Sequence, residues 1–234
     1  SLSRKDHFAN YDAATAAPVN FSMPEEIKAV YENNSNYDPE KYNNDEDVMP
    51  VTGAKNHVML EDVRGLDYDD PEWDLLMDEL TVKEMNSLIA RAGYQTTEIK
   101  SINKVRTVEA DGPVAITNNF TEESTIGFPT EVTLSNTWNR ELAYRFGQSM
   151  GKMADEMNIS GWYGPAMNMH RAAFGGRNFE YYSEDPFIAG VMASDTVNGA
   201  LEYGVYPMLK HFAFNDQEAN SGWQLCTWDT HCKN

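Results

Sequence analysis

Between residues 104 and 214 the apolar side chains switch repeatedly between strand and helix periods, and this alternation constrains the fold more than any other feature. Lys104-Val-Arg-Thr-Val-Glu109 alternates as a half-buried strand does and runs into Ala110-Asp111-Gly112-Pro113. Leu142, Phe146, Met150, Met153 and Met157 then recur on one stripe, predicting a helix over about 138–157. Gly161-Trp162-Tyr163 reads as a short strand. Asp185-Pro186 reads as an N-cap with proline at the first helical position, opening a helix that runs to about Tyr203 and stops at Gly204. Val205 to Phe214 reads as a buried strand. Strand, helix, strand, helix, strand is the order of an α/β domain with parallel strands. Upstream, Pro71–Asp78 reads as a helix. Thr81-Val82-Lys83-Glu84 is a capping box opening a second one, with Met85, Leu88, Ile89 and Ala92 at helical spacing and Gly93 closing it.

Charge divides the chain. It carries 37 acidic and 18 basic side chains, a net of −19. Residues 1–80 hold 19 of the acidic and 6 of the basic groups. Residues 1–60 read as an acidic connector, with loop and turn chemistry at 33–36, 37–39 and 43–47 and a short helix near 24–32. Phe8, Tyr11, Phe21, Tyr31, Tyr37 and Tyr42 along it predict that the connector lies against a folded surface. Residues 61–234 form the second segment. The negative charge argues against nucleic acid, whose phosphates need a basic face. No stretch approaches the roughly 18 consecutive apolar residues that span a bilayer as a helix. Cys226 and Cys232 lack metal-ligand spacing and read as reduced thiols; no cofactor or metal is expected. The N-terminus shows no apolar secretory core, which favours a cytoplasmic location.

Polar clusters fall at or just past the ends of the strands, where α/β sheets and barrels place their sites. Asp111-Gly112-Pro113 serves either as a plain turn or as a placed carboxylate. Lys210-His211 ends an apolar strand that has no packing use for either side chain. Gly175-Gly176-Arg177-Asn178-Phe179-Glu180 is either a flexible loop with an Arg–Glu pair or a donor site, and it lacks the glycine spacing that holds phosphates. His7, His57 and His231 have no partner in sequence and read as surface residues. Together the clusters describe a site for a polyhydroxylated ring: a carboxylate accepts from adjacent hydroxyls, Arg, Lys and His donate to ring oxygens, and an aromatic face such as Trp162 completes the pocket.

From about residue 70 to 228 the sequence resembles the barrel domain of glycoside hydrolase family 3, the β-glucosidase family. The resemblance rests on Asp111-Gly112-Pro113, on Gly161 through Arg171, on Gly176-Arg177-Asn178-Phe179-Glu180-Tyr181-Tyr182-Ser183-Glu184-Asp185-Pro186, and on Lys210-His211-Phe212 with Asn215-Asp216-Gln217-Glu218, in order and at family spacing. It implies a retaining exo-β-glycosidase with a (β/α)8 barrel. Asp111 matches the carboxylate that binds two hydroxyls in the −1 subsite. Arg177 and Lys210 match donors to the same sugar, and His211 shares that role. Arg171, Glu180, Glu184 and Asp185 match residues that brace the loop. The sugar implied is a terminal β-linked one such as glucose.

Two departures stand beside the matches. The family's Lys-His-Phe motif ends in arginine, and Ser221 occupies that position. No Asp follows a Ser or Thr and precedes an aromatic on a later strand, so no nucleophile is identified; Asp195 falls mid-helix, and Asp229 lies in a divergent tail. Retaining hydrolysis uses two carboxyl groups about 5–5.5 Å apart. The family's acid/base commonly comes from a second domain. A full barrel takes on the order of 250 residues, and the barrel-like part here is about 160, enough for roughly four or five strands. The expectation is therefore an incomplete barrel, its first half, whose partners are the missing barrel half and a second domain carrying the acid/base. Alone the chain is expected to be inactive. The competing reading is a truncated remnant, or sugar-binding module, that keeps the subsite without the chemistry.

Overall fold

A computed structural model of the chain describes residues 5, 7–12, 25–29, 38–170, 173, 175–212, 215 and 218. The chain divides into two compact units, Ser1–Pro50 and Val51–Asn234. Within the first, helix α1 spans Glu25–Lys28. A 3₁₀ turn follows at Pro39–Tyr42, with the Asp38 carboxylate accepting from the Glu40 amide.

The second unit opens with α2 (Glu72–Asp78) and α3 (Val82–Ala90). The capping box is formed as the sequence predicts. Thr81 Oγ1 accepts from the Glu84 amide at 3.2 Å, and Glu84 accepts from the Thr81 amide at 3.0 Å. Glu84 also accepts from the Ser101 amide at 3.0 Å, which ties the helix start to the next segment. A small core of Val58, Val63, Leu76, Ile99 and Ile102 holds this region together. The buried Glu79 carboxylate accepts the Val58 amide at 2.7 Å, so its polar atoms do not oppose that burial.

The sheet is mixed. Strands β1 (Gln95–Thr96), β2 (Thr107–Asp111), β3 (Gly161–Tyr163) and β4 (Tyr206–Pro207) lie in that order. β2, β3 and β4 are parallel, as expected; β1 pairs antiparallel with β2 at the edge, which the alternation did not signal. Helix α4 (Glu131–Ser135) and the long α5 (Arg140–Glu156) connect β2 to β3, and α6 (Pro186–Leu201) connects β3 to β4. Asn139 caps α5 through the Leu142 amide, and Asp185 caps α6 through the amides of Phe187 and Ile188. Among the described residues no helix is long and apolar enough to cross a membrane.

Two expectations need correction. Of the strand read at 205–214, residues 213 and 214 lie outside the described residues, and the rest is regular only over Tyr206–Pro207, because β3 itself ends at Tyr163 and offers no longer ladder to extend. Beyond it, single bonds persist: Met208 N to Trp162 O at 2.8 Å and Lys210 N to Pro165 O at 3.2 Å. Leu142, read as part of the buried stripe of α5, is 41% exposed, whereas Phe146 and Met150 are buried.

The period-2 alternation sorts the sheet faces. Val108, Ala110 and Trp162 pack with Phe146, Met150, Met192 and Ala193 into the main core. Thr107, Glu109, Tyr163 and Tyr206 are joined by hydrogen bonds on the other face: Tyr163 Oη donates to Glu109 at 2.6 Å, and Tyr206 Oη lies 3.0 Å from both Thr107 and Glu109. Helices α5 and α6 touch backbone to backbone. A Cβ on Gly147 would lie 1.9 Å from the Thr196 carbonyl oxygen, so only glycine permits this approach. On their outer edge Arg140 holds Asp195 through two bonds of 2.7 and 3.0 Å. Asp195 is thus a helix-pairing residue.

Candidate functional site

Asp111 is the last residue of β2, and its carboxylate sits at the strand's C-terminal end. Gly112 makes this possible. Its φ is +121°, and any Cβ there would meet the Ala115 carbonyl oxygen at 1.7 Å. The Gly112 amide donates to Asp111 Oδ1 at 2.8 Å. Asp-Gly-Pro is therefore a turn and a carboxylate mount at once.

Lys210 reaches the same carboxylate from beyond β4. Its Nζ lies 2.5 Å from Asp111 Oδ1, and its side chain is only 15% exposed. The backbone around it is gripped on both sides: Lys210 N donates to Pro165 O, and Met167 N donates to Lys210 O at 2.6 Å. The peptide bonds Gly164–Pro165 and Lys210–His211 are cis. Burial raises the Asp111 pKa, but the Lys210 bond and charge, the Gly112 amide and the Arg177 charge outweigh it and hold the pKa below the usual value. Asp111 is thus ionised at neutral pH and still 45% exposed, free to accept from a ligand.

Arg177 sits on the loop after β3, at the head of a 3₁₀ turn over Asn178–Glu180. Its Nε donates to the buried Glu180 carboxylate, and Glu218 lies 4.0 Å away. The Arg–Glu pair read in the sequence is formed, and it orients a guanidinium whose charge acts on Asp111 and His211. His211 Nδ1 lies 2.7 Å from the Tyr181 hydroxyl. Burial, then the Arg177 and Lys210 charges, push the His211 pKa below its usual value.

The structure thus brings Asp111, Lys210 and His211 together at the strand ends, with Arg177 coupled to them through charge. It does not bring Trp162 there as a pocket face. That ring is fully buried on the helix side, its Nε1 donating to Gly112 O at 2.7 Å, where it supports the Asp111 turn from behind. Arg171, Asp216, Ser221, Cys226, Asp229 and Cys232 lie outside the described residues.

Four residues carry parts the sequence reading did not assign. Tyr181 is 1% exposed and bonds His211. Asn168 and Asn215 clamp each other: the Asn215 amide donates to Asn168 Oδ1 at 3.1 Å, and Asn168 Nδ2 donates to the Asn215 carbonyl at 3.3 Å. Glu131, at the start of α4, is wholly buried near Ala166, whose amide points to its Oε1 at 3.5 Å. Burial raises its pKa to about 8, with the nearby Glu180 charge adding to the effect, so it is a neutral acid at pH 7. Among the described residues none bonds its Oε2. An Asp or Glu in the first turn of a helix is ordinarily a solvated dipole partner, so the sequence carried no signal for a buried one. Among the described residues no group of three or more His, Cys, Asp and Glu is placed to hold a metal ion.

A mixed sheet with three parallel strands, backed by helices and carrying a carboxylate and cations at the C-terminal ends of those strands, is an α/β domain with a polar cluster where such folds place their sites. Residues 85–233 match the model of the glycosyl hydrolase family 3 N-terminal domain, and the chain belongs to that family. Among curated relatives, β-glucosidase A of Butyrivibrio fibrisolvens is 45% identical over 96 residues, covering 41% of this chain and 12% of its own length. A Rhizobium radiobacter β-glucosidase is 34% identical over 152 residues, covering 62% of this chain and 18% of its own. The structure of β-glucosidase 3B from Thermotoga neapolitana in complex with glucose aligns with a TM-score of 0.57 at 36% identity, over 63% of this chain and 24% of that one. The chain therefore spans less than a quarter of the length of each of these relatives.

Proposed function

We propose that this chain builds the −1 sugar subsite of a retaining exo-β-glycosidase acting on a terminal β-linked sugar such as glucose. In this reading Asp111 accepts from two adjacent hydroxyls, while Lys210, Arg177 and His211 donate to the ring's oxygens. The observation that carries it is the Asp111–Lys210 pair of 2.5 Å at the C-terminal ends of parallel strands, with the carboxylate still half open. A carboxylate fully neutralised by burial in a structural salt bridge would have no use for that exposure. The glucose bound to the Thermotoga relative is consistent with such a ligand here.

The same reading makes residues 1–60 an acidic connector and residues 61–234 the first half of a barrel. The nucleophile then comes from the missing barrel half and the acid/base from a second domain, and this chain alone is inactive. The test is Asp111→Asn in the product of the complete reading frame, assayed on p-nitrophenyl-β-glucoside. Hydrogen bonds to a charged acceptor are worth about 1.5–3 kcal/mol each, and Asn loses one of the two while leaving the other uncharged, so kcat/KM falls by at least about tenfold. Near-normal kcat/KM would refute the assignment. Sugar binding without turnover in that complete product would instead favour the sugar-binding module.

A further inference from the structure

Around His211 the hydrogen bonds form a chain whose direction can be assigned atom by atom. Glu218, as a carboxylate, only accepts. The Asn215 side-chain atom 2.8 Å from Glu218 Oε1 must therefore be the amide nitrogen. That nitrogen has a second hydrogen, which goes to the Tyr181 hydroxyl oxygen at 2.7 Å. A phenol has one proton to give. Among the described residues the only atom at bonding distance able to accept it is His211 Nδ1, 2.7 Å away, so Tyr181 directs its proton there. An Nδ1 that accepts is unprotonated, and a neutral imidazole then carries its hydrogen on Nε2.

We propose that Tyr181, aligned by Asn215 and Glu218, is a positioning residue that locks His211 as the neutral tautomer with Nε2–H, making His211 a one-way hydrogen-bond donor to a ligand oxygen. The relay is rigidly mounted. Tyr181 is buried, its carbonyl meets His170 Nε2 at 2.9 Å, and Asn168 clamps the Asn215 backbone through both its amide and its carbonyl. The surroundings favour the same state. Protonating His211 would put a hydrogen on Nδ1 opposite the Tyr181 O–H, leaving that phenol proton without an acceptor among the described residues. Half-burial is the largest influence against the imidazolium, and the cations Arg177 and Lys210 add to it; Glu180 and Glu218 act the other way and are outweighed.

The lock itself is independent of what binds; only the identity of the oxygen that receives Nε2–H rests on the sugar-subsite reading. The test is a long-range ¹H–¹⁵N correlation spectrum of the histidine rings in the uniformly labelled 234-residue chain, with His211 assigned by its loss in His211→Gln. The expected result is a single Nε2–H tautomer at neutral pH. In Tyr181→Phe an Nδ1–H form becomes detectable and the His211 titration midpoint moves up, because the bond that favoured the neutral ring is gone. A buried tyrosine that only filled space would move neither. If Tyr181→Phe does not fold, Asn215→Ala keeps the ring and reads the same relay, with the same shift expected. An Nδ1–H pattern in the unaltered chain, or an unchanged tautomer and midpoint in the variant, overturns the proposal. Glucose that fails to perturb a correctly locked His211 would count against the subsite while leaving the lock standing.

Discussion

Lys210 Nζ meets Asp111 Oδ1 at 2.5 Å although 99 positions separate the two residues in the chain. The parallel register of β2, β3 and β4 brings them together, with Asp111 opposite Tyr163 and Gly161 opposite Tyr206. Removing either charge leaves the other half-buried and unpaired. Lys210→Met is therefore expected to raise the Asp111 pKa, because the largest of the influences that lower it is lost. A carboxyl ¹³C titration checks this; an unmoved Asp111 midpoint would mean that the two groups do not interact in solution.

Gly147→Ala tests the helix pair that supports the sheet. Its new methyl would lie 1.9 Å from the Thr196 carbonyl oxygen, so α5 and α6 must separate and loosen the core around Met150 and Met192. Overpacking of this kind costs about 1–3 kcal/mol. Urea unfolding monitored by Trp fluorescence should show the midpoint fall without a change in slope. An unchanged midpoint would show that the helices are not in contact at this residue.

Glu131 gives a pH signature with a definite sign. The carboxyl titrates near 4.5 when unfolded and at about 8 in the fold, chiefly through burial. Between those values the native chain keeps a proton that the unfolded chain has released. The stability its neutral form contributes is complete below about pH 4.5 and is lost as pH rises through 8. Glu131→Gln keeps an acceptor for the Ala166 amide and removes the titration. The variant should therefore gain stability relative to the unaltered chain between pH 5 and 8, read as Tm against pH. Parallel Tm profiles would contradict it.

Glu84 has the opposite sign. Burial pulls its pKa up, but bonds from Thr81 and Ser101 outweigh this and hold it at about 2. Its contribution is present above pH 4.5 and is lost as pH falls toward 2. Thr81→Ala should cost about 1 kcal/mol, as loss of an N-cap does, and should shrink that acid-side loss. Equal acid sensitivity in the variant would show that the cap does not set the Glu84 titration.

What the sequence disclosed follows from where local rules dominate. The caps at Thr81 and Asp185 and the helix stripe through Phe146 and Met150 depend on neighbours within one or two turns, and these were legible. The antiparallel β1 was not, because two residues carry no periodicity. Trp162 is aromatic, next to the site in sequence and suited to a sugar face, yet strand alternation sends it to the helix side while Tyr163 takes the other. Lys210 and His211 stood out because charge at the end of an apolar strand lacks a packing explanation, whereas Asp111 in Asp-Gly-Pro fits a plain turn as well as a placed carboxylate. Tyr181 and Glu131 did not, since their importance lies in partners 30 and 35 positions away.

The central claim is that Asp111, Arg177, Lys210 and His211 form one sugar subsite. The most direct measurement is an NMR titration of the labelled 234-residue chain with D-glucose, followed at the His211 ring and the Asp111 carboxyl. The account predicts saturable shifts at both groups and at least about a tenfold weaker affinity in Asp111→Asn, the loss expected when even one charge-assisted bond of about 1.5–3 kcal/mol disappears. Shifts that never saturate, or equal affinity in Asp111→Asn, would contradict it.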